Sequence, residues 1–366
     1  MDVRALRSWI GRLGCRALMA ALVVWLGTSR AAPAGIQLDG DGREPYATGS
    51  IVYLDNDALS AAQRDEDYTG GLAITLAGRR TREWPVSIDP VLGLVDQALA
   101  LAGRDGVFEL HSAQLGAIAF TPAEVDVAEV IPGDRPYASL LYWAAGRMYL
   151  REAQRAAYHS SVSIGMLGLE AVPELQRALH AVIGVSEPRG WAHQISDGGE
   201  PTLRYTLSRQ DLFASRRGGA WGDYDFKSTV GASLGYTTET NAALSLRWGR
   251  IGTPWWSFPP ERVNYISEPV PVVRSPGTRE LFLWAGAKLK TPIYNAFLQG
   301  QFRDSDLRYD HGDLRPLVAE AWAGATAQLG RSLHLSWVMR YQTSELREGP
   351  GDRELLWGSL FITHSL

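Results

Sequence analysis

Apolar and polar residues alternate along much of this chain. Over Thr240–Arg250, Ala242, Leu244, Leu246 and Trp248 fall on one side, and Ala243, Ser245, Arg247 and Gly249 on the other. Ser332–Gln342 repeats the design, with Leu333, Leu335, Trp337, Met339 and Tyr341 on one face. A period of two is that of a strand with one apolar face. Similar segments are Ser50–Asp57, Gly70–Gly78, Leu115–Thr121, Ala138–Arg151, Tyr158–Leu167, Thr202–Phe213 and Phe226–Thr237. Glu280–Thr291, Tyr294–Arg303, Val318–Leu329 and Glu354–Leu366 follow, separated by Gly, Pro, Asp, Asn and Thr turns. The set amounts to about a dozen strands of a length that suits a membrane barrel, which needs roughly 9–11 residues per strand. Trp and Tyr lie near segment ends, as in an aromatic girdle (Trp255 and Trp256, Trp284, Trp322, Trp357). A soluble sandwich alternates as well, so alternation alone leaves two architectures. Two segments read as helical: Ile88–Ala102, and Pro173–Ile183, which opens on Pro and closes at Gly184. Both are expected in loops, over a rim or inside a barrel.

The first residues narrow the choice. Arg4, Arg7, Arg12 and Arg16 precede a short apolar run, Ala17–Leu26, and small residues that suit cleavage near Ala31 or Ala34. That order predicts a secretory signal over residues 1–31, followed by a single barrel domain over 35–366. Cys15 is the only cysteine and leaves with the signal, so an exported chain has no disulfide to hold it. No other stretch approaches the roughly 20 apolar residues of a spanning helix. If the chain lives in a membrane, it crosses as a closed sheet. The fold expected is therefore an all-β antiparallel transmembrane barrel of about 12 strands, with short helices in loops or at a rim. Its location is a Gram-negative outer membrane.

Charge excludes one class of partner. Removing residues 1–31 takes five Arg and one Asp from 36 basic and 40 acidic groups, leaving 31 and 39, a net charge of −8. Such a chain is a poor nucleic-acid binder. The positive charge is nearly all Arg, the only lysines being Lys227, Lys288 and Lys290. Arg suits bidentate phosphate contacts, although codon bias explains the excess equally well. No obligate protein partner is implied.

Candidate chemistry gathers in three places. In the second helical segment Gln176 and His180 are four apart and share a face, beside a separate stripe of Leu175, Leu179 and Val182. A histidine there can act as a general base with the amide holding it or the substrate; on the helix alone, a half-exposed loop histidine is the more common outcome. Near the start of the barrel, Asp55-Asn56-Asp57 is followed by Asp65-Glu66-Asp67-Tyr68-Thr69-Gly70-Gly71. Such a density of oxygens suits a hard cation such as calcium, without EF-hand spacing; an acidic turn between strands reads the same way. Thirdly, Thr121-Pro122 precedes Asp134-Arg135-Pro136-Tyr137-Ala138, where Asp134, Arg135 and Tyr137 suit the fixing of a loop into a strand start. Gly231-Ala232-Ser233-Leu234-Gly235 fits G-x-S-x-G, but it lies in an alternating strand with no helix after it, so Ser233 is not expected to be a nucleophile. His193 and Asp310-His311 read as loop residues without a defined partner.

In order and spacing these motifs resemble the lipid A 3'-O-deacylases of outer membranes. The matching pieces are Asn56-Asp57, Asp67-Tyr68-Thr69-Gly70-Gly71, Phe120-Thr121-Pro122, Asp134-Arg135-Pro136-Tyr137-Ala138, Gly165 and Gly168, Gln176 and His180, Gly190-Trp191 with Gln194, and the Asn241–Gly249 strand. The resemblance implies a twelve-stranded barrel that hydrolyses the ester of the 3'-linked acyloxyacyl chain of lipid A, with calcium. It implies His180 as general base, with Gln176 supporting it or positioning the substrate. It places Asn56, Asp57 and Thr69 at the metal and oxyanion end of the site, with Asn56, Asp57 and Asp67 as metal ligands. Gly70 stands where the family usually has Asn, and Ser139 where it usually has Gly. The basic residue that would meet a substrate phosphate is not identifiable among the many Arg. Two other readings fit the same chain: a non-catalytic barrel, and a phospholipase-type barrel built on a Ser–His pair.

Overall fold

A computed structural model describes residues 43–56, 59–60, 67–101, 108–151, 154–174, 176, 188–219, 222–262, 266, 268–274 and 279–366, with the backbone alone for 67–69. Twelve antiparallel strands close into a barrel, each paired with its sequence neighbours, and the first paired with the last. They are β1 (Gly49–Asn56), β2 (Asp67–Ala77), β3 (Phe108–Thr121), β4 (Ala138–Arg151), β5 (Ala156–Leu167) and β6 (Glu200–Arg216). β7 (Asp223–Gly235), β8 (Thr237–Arg250), β9 (Leu281–Asn295), β10 (Val318–Leu329), β11 (Leu333–Gln342) and β12 (Leu355–Ser365) complete it. The start of β1 pairs with the end of β12, Gly49 opposite Ser365, so both lie at one rim, the terminal rim. The opposite, far rim carries the connections after β1, β3, β5, β7, β9 and β11.

The period of two resolves as lipid side against lumen side. Outward positions carry exposed aliphatics, such as Leu234 at 70% and Leu203 at 59% exposure. Inward positions are polar and filled. The connection from β8 to β9 turns back into the lumen through 3-10 turns at Trp255–Ser257 and Pro260–Arg262. There Glu261 accepts from Thr229 (2.8 Å), Ser245 (3.2 Å) and Gln210, and pairs with Lys227 at 3.3 Å. Arg262 pairs with Glu268 at 2.6 Å, and Arg340 donates to the Pro260 carbonyl at 2.7 Å. Lys288 and Arg340 both meet Glu320, at 2.8 and 2.9 Å. All three lysines are thus lumen cations, buried and held by this lattice rather than presented at the surface.

One expectation needs correction. Tyr294–Arg303 is not a separate strand: β9 runs through Pro292 to Asn295, then breaks into a helical turn at Ala296–Gln299. Proline removes a ladder donor, but here the register slips between Thr238 and Glu239, and a bulge admits it. The first helical segment, Ile88–Ala102, forms α2 (Asp89–Ala98), preceded by a short α1 (Arg80–Glu83), and lies in the loop after β2 as expected, outside the barrel. α2 packs Leu92 on Ala145 and Val162, which share the outward alternation of exposed Leu115 and Ile164, so it rests on the outer wall. Of the second helical segment, residues 171–174 and 176 are helical; the remainder lies outside the described residues.

Candidate active site

The loop between β3 and β4 is tied down by the Asp134 motif. Asp134 accepts from the Ala123 and Arg135 amides at 3.0 and 2.6 Å and pairs with Arg353 at 2.6 Å. Arg135 pairs with Glu345 at 2.6 Å and lies over the Phe120 ring at 5.1 Å. Tyr137 donates to the Val125 carbonyl at 3.0 Å, and burial pushes its phenol up to about 12. The motif therefore clamps the far-rim loop after β3 to the loop after β11, the structural role its residues suggest.

On that base stands a cap over the outer wall. Tyr137 packs on Trp191 with ring centroids 4.8 Å apart, and both join Val172 over Ala119, Ala117 and Leu141. Ala117 and Ala119 share the outward alternation of Leu115, so the cap covers the wall from the membrane side. Gly190 is required there, because a Cβ would meet the Tyr137 ring at 2.4 Å. Gly168, at φ +77°, passes so close to the Ser196 carbonyl that a Cβ would lie 2.1 Å from its oxygen. Ser139 donates to Gln194 at 2.9 Å, so the serine at this departure from the family pattern anchors the same loop.

The cap holds Gln176. The Trp191 indole N–H donates to its Oε1 at 2.9 Å, and the amide is buried. Among the described residues its Nε2 meets no acceptor. His180, four residues on, lies outside the described residues.

The second cluster meets the wall beside this cap. Asn56 ends β1 with the outward alternation of Val52 and Leu54, and stands in register with Gly358 of β12. Its Nδ2 lies 3.5 Å from where a Gly70 Cβ would be, and the Asp55 carbonyl oxygen would lie 2.8 Å from that atom. No side chain fits at Gly70 without displacing β1, which explains glycine at this departure. Gly70 pairs with Ala119, and the register slips between Asp67 and Gly70, so Tyr68 and Thr69 form a bulge next to the capped wall. Bulges of this kind re-aim side chains beside sites. The backbone thus sets Asn56, Thr69 and Gln176 around one patch of outer wall at the far rim. Asp57 lies outside the described residues, and Asp67 is described by its backbone alone.

A family model described as outer membrane protein LpxR matches residues 18–366. The chain belongs to the LpxR family. Membership places it in the outer membrane and among the lipid A deacylases that its motifs resemble. LpxR from Salmonella typhimurium has the same fold, at TM-score 0.67 and 17% identity over 87% of this chain and all of that one. An outer-membrane channel from Pseudomonas putida F1 aligns at TM-score 0.42 and 12% identity, over 94% of this chain and all of that one. No match was found among curated proteins.

Asn56, Asp57 and Asp67, the residues that the resemblance implies would hold calcium, are oxygen donors of the kind that suits a hard cation. Among the described residues no group of three or more His, Asp or Glu could hold a metal, and two of these three side chains are not described. Ser233 is buried in β7 and donates to the Thr237 carbonyl at 3.0 Å, so it sits in a strand and not on a nucleophile elbow. His193 does have a partner, Asp306 at 2.5 Å, and Asp310 caps the turn His311–Asp313. Sequence reasoning missed Trp191 as the residue that fixes Gln176; its place after Gly190 was visible, its partner was not.

Proposed function

We propose that this protein hydrolyses the ester that holds the 3'-linked acyloxyacyl chain of lipid A, with water activated by His180 and with calcium. The observation that carries the reading is the position of the patch. Asn56, Thr69 and the Gln176 cap surround a stretch of wall that faces the bilayer, not the lumen. Outer-membrane barrels turn their longer loops to the exterior; five of the six far-rim connections span ten residues or more against two of the five between strands at the terminal rim, which supports placing the far rim at the outer leaflet, where lipid A resides. A substrate anchored by its acyl chains then reaches the site sideways from the membrane.

In this reading neutral His180 takes the proton of the attacking water, and the attack needs no covalent serine. Gln176, pinned by Trp191, offers its Nε2–H to His180 or to a substrate oxygen. Thr69, on its bulge, and Asn56 face the developing oxyanion, where preorganised donors are worth the most. Asn56, Asp57 and Asp67 would hold the calcium, which polarises the ester carbonyl when bound. The channel reading loses ground to the filled lumen, and the phospholipase reading to Ser233, which is committed to its strand.

The test is mass spectrometry of lipid A from membranes that carry the intact protein or His180→Ala, with calcium or with chelator. Loss of the 3' acyloxyacyl mass is expected only with intact protein and calcium, and a rate about 10²–10⁴ lower without the base. Unchanged lipid A in every sample, with the barrel folded by heat-modifiable electrophoresis, would overturn the reading.

A further inference from the structure

The helix on the outer wall is inside out. α2 buries both its acids and Leu92 against the barrel and exposes Val91 and Leu94. Asp96 accepts hydroxyls from Tyr149 (2.8 Å), Ser160 (2.6 Å) and Tyr205 (3.0 Å), and is fully buried. Asp89 takes a bidentate contact from Arg147, at 2.5 and 2.7 Å. Val86, Val91, Leu94 and Leu99 point away from the wall, with Leu94 at 68% exposure. That polarity suits a helix surrounded by hydrocarbon, where every polar group must be satisfied internally. It also fixes the helix in place, since lifting it would expose an arginine and two carboxylates to lipid tails.

This ledge lies farther from the far rim than the candidate site, on the neighbouring strands β4 and β5. The far-rim cap covers Ala117 and Ala119 of β3, while α2 and its flank cover Ala145, which pairs with Ala113. Between the two covers β3 exposes only Leu115; the covered positions Ala113 and Ala117 are four residues apart, about 13 Å along the strand at about 3.3 Å each, and the open wall is shorter than that. Leu115 pairs with Trp143, and Trp143 carries the Trp84 ring stacked on it at 6.2 Å and 19°. Ile74 pairs with Leu115 on the side of β2, and Ile164 pairs with Trp143 on the side of β5; both are exposed.

We propose that this strip is an acyl-chain groove and that the Trp84–Trp143 stack is its floor, setting the longest chain the site accepts. The proposal rests on the hydrolase reading for the head that the chain belongs to. The occupant follows from continuity: the strip is the unbroken apolar extension of the wall under the site, and α2 shows that hydrocarbon reaches this depth. One methylene misfit in an apolar pocket is worth roughly tenfold or more in rate, so a fixed floor discriminates chain length.

Two measurements test it on the full-length protein in liposomes of phosphatidylethanolamine and phosphatidylglycerol. First, a lipid A analogue with a diazirine at the end of its 3'-linked acyl chain is photolysed, with chelator present, and the labelled peptides are mapped. Label concentrated on the peptides of Trp84, Leu115 and Trp143 is expected; label spread evenly around the barrel would overturn the groove. Secondly, lipid A substrates of stepped acyl length are hydrolysed by intact protein, Trp84→Ala and Trp84→Phe. Trp84→Ala is expected to raise turnover of the first chain beyond the natural limit by about tenfold relative to the natural chain, with Trp84→Phe restoring the limit. An unmoved limit in a folded variant would overturn the floor. Focal label without hydrolysis of any substrate would sink the hydrolase reading and leave the groove standing, whereas hydrolysis with scattered label does the reverse.

Discussion

At the scale of the residue, the site depends on how firmly Gln176 is held. Trp191→Phe keeps the ring against Tyr137 but deletes the indole N–H that fixes the amide. A net hydrogen bond is worth about 0.5–1.5 kcal/mol, so deacylation should fall by up to about tenfold. Gln176→Ala should cost at least as much. Because both act through one contact, the double variant should cost little more than Gln176→Ala alone; fully additive losses would show that Trp191 does not work through Gln176. Tyr137 gives a second reading of the cap. Burial is the main cause that raises its pKa to about 12, opposed by a backbone contact from Gly190. A group raised in the folded state stabilises it fully below the unfolded value, near 10, and that contribution is lost as pH rises through about 12. The absorbance difference at 295 nm between the intact protein and Tyr137→Phe should therefore show a tyrosinate forming near 12. Ionisation near 10 would mean that the cap is open to water.

Single elements show where pattern reading succeeds and where it stops. Strand positions were legible, because a wall with lipid on one face and a polar lumen on the other forces the period of two. The segment boundary at Pro292 was misplaced, since the bulge that tolerates the proline, with Ile293 as the extra residue of β9 opposite the Thr238–Glu239 step, is set by pairing with β8 and leaves no mark in the local pattern. The helical character of Ile88–Ala102 and its place in a loop were legible too, but the face of the wall it rests on was not. Nothing local marks Asp89 and Asp96 as buried, because their partners Arg147, Tyr149, Ser160 and Tyr205 lie on three strands distant in sequence. Asp96→Ala should leave those three hydroxyls orphaned under the helix, at about 1–3 kcal/mol for each group not rescued by a partner. The expected result is earlier protease cleavage within residues 79–101 in detergent, with the barrel still heat-modifiable. Cleavage at the intact rate would mean that the acid contributes nothing to docking.

The whole molecule decides between enzyme and pore. Asn56-Asp57, the Thr69 bulge and the Gln176 segment could be paired from the sequence only through a family resemblance, because the strand order that brings them to one rim is a property of closure, not of any motif. The filling of the lumen was not legible at all. The described residues of the connection after β8 carry Pro, Trp and paired charges that resemble any loop, and only Lys227, Arg204, Arg340 and Gln210 on distant strands reveal them as a plug. A barrel so filled should pass almost no current. In planar bilayers the intact protein should be silent at potentials where open barrels conduct. Removing Glu261 and Glu268 together, as Gln, strips the acids that Lys227, Arg204 and Arg262 face and leaves buried cations uncompensated, a change that is strongly destabilising for such pairs. Intermittent conductance should then appear while the outer-wall site still releases acyl chains. Steady conductance in the intact protein would instead show that the segment leaves the lumen, and would restore the channel reading that its position argues against.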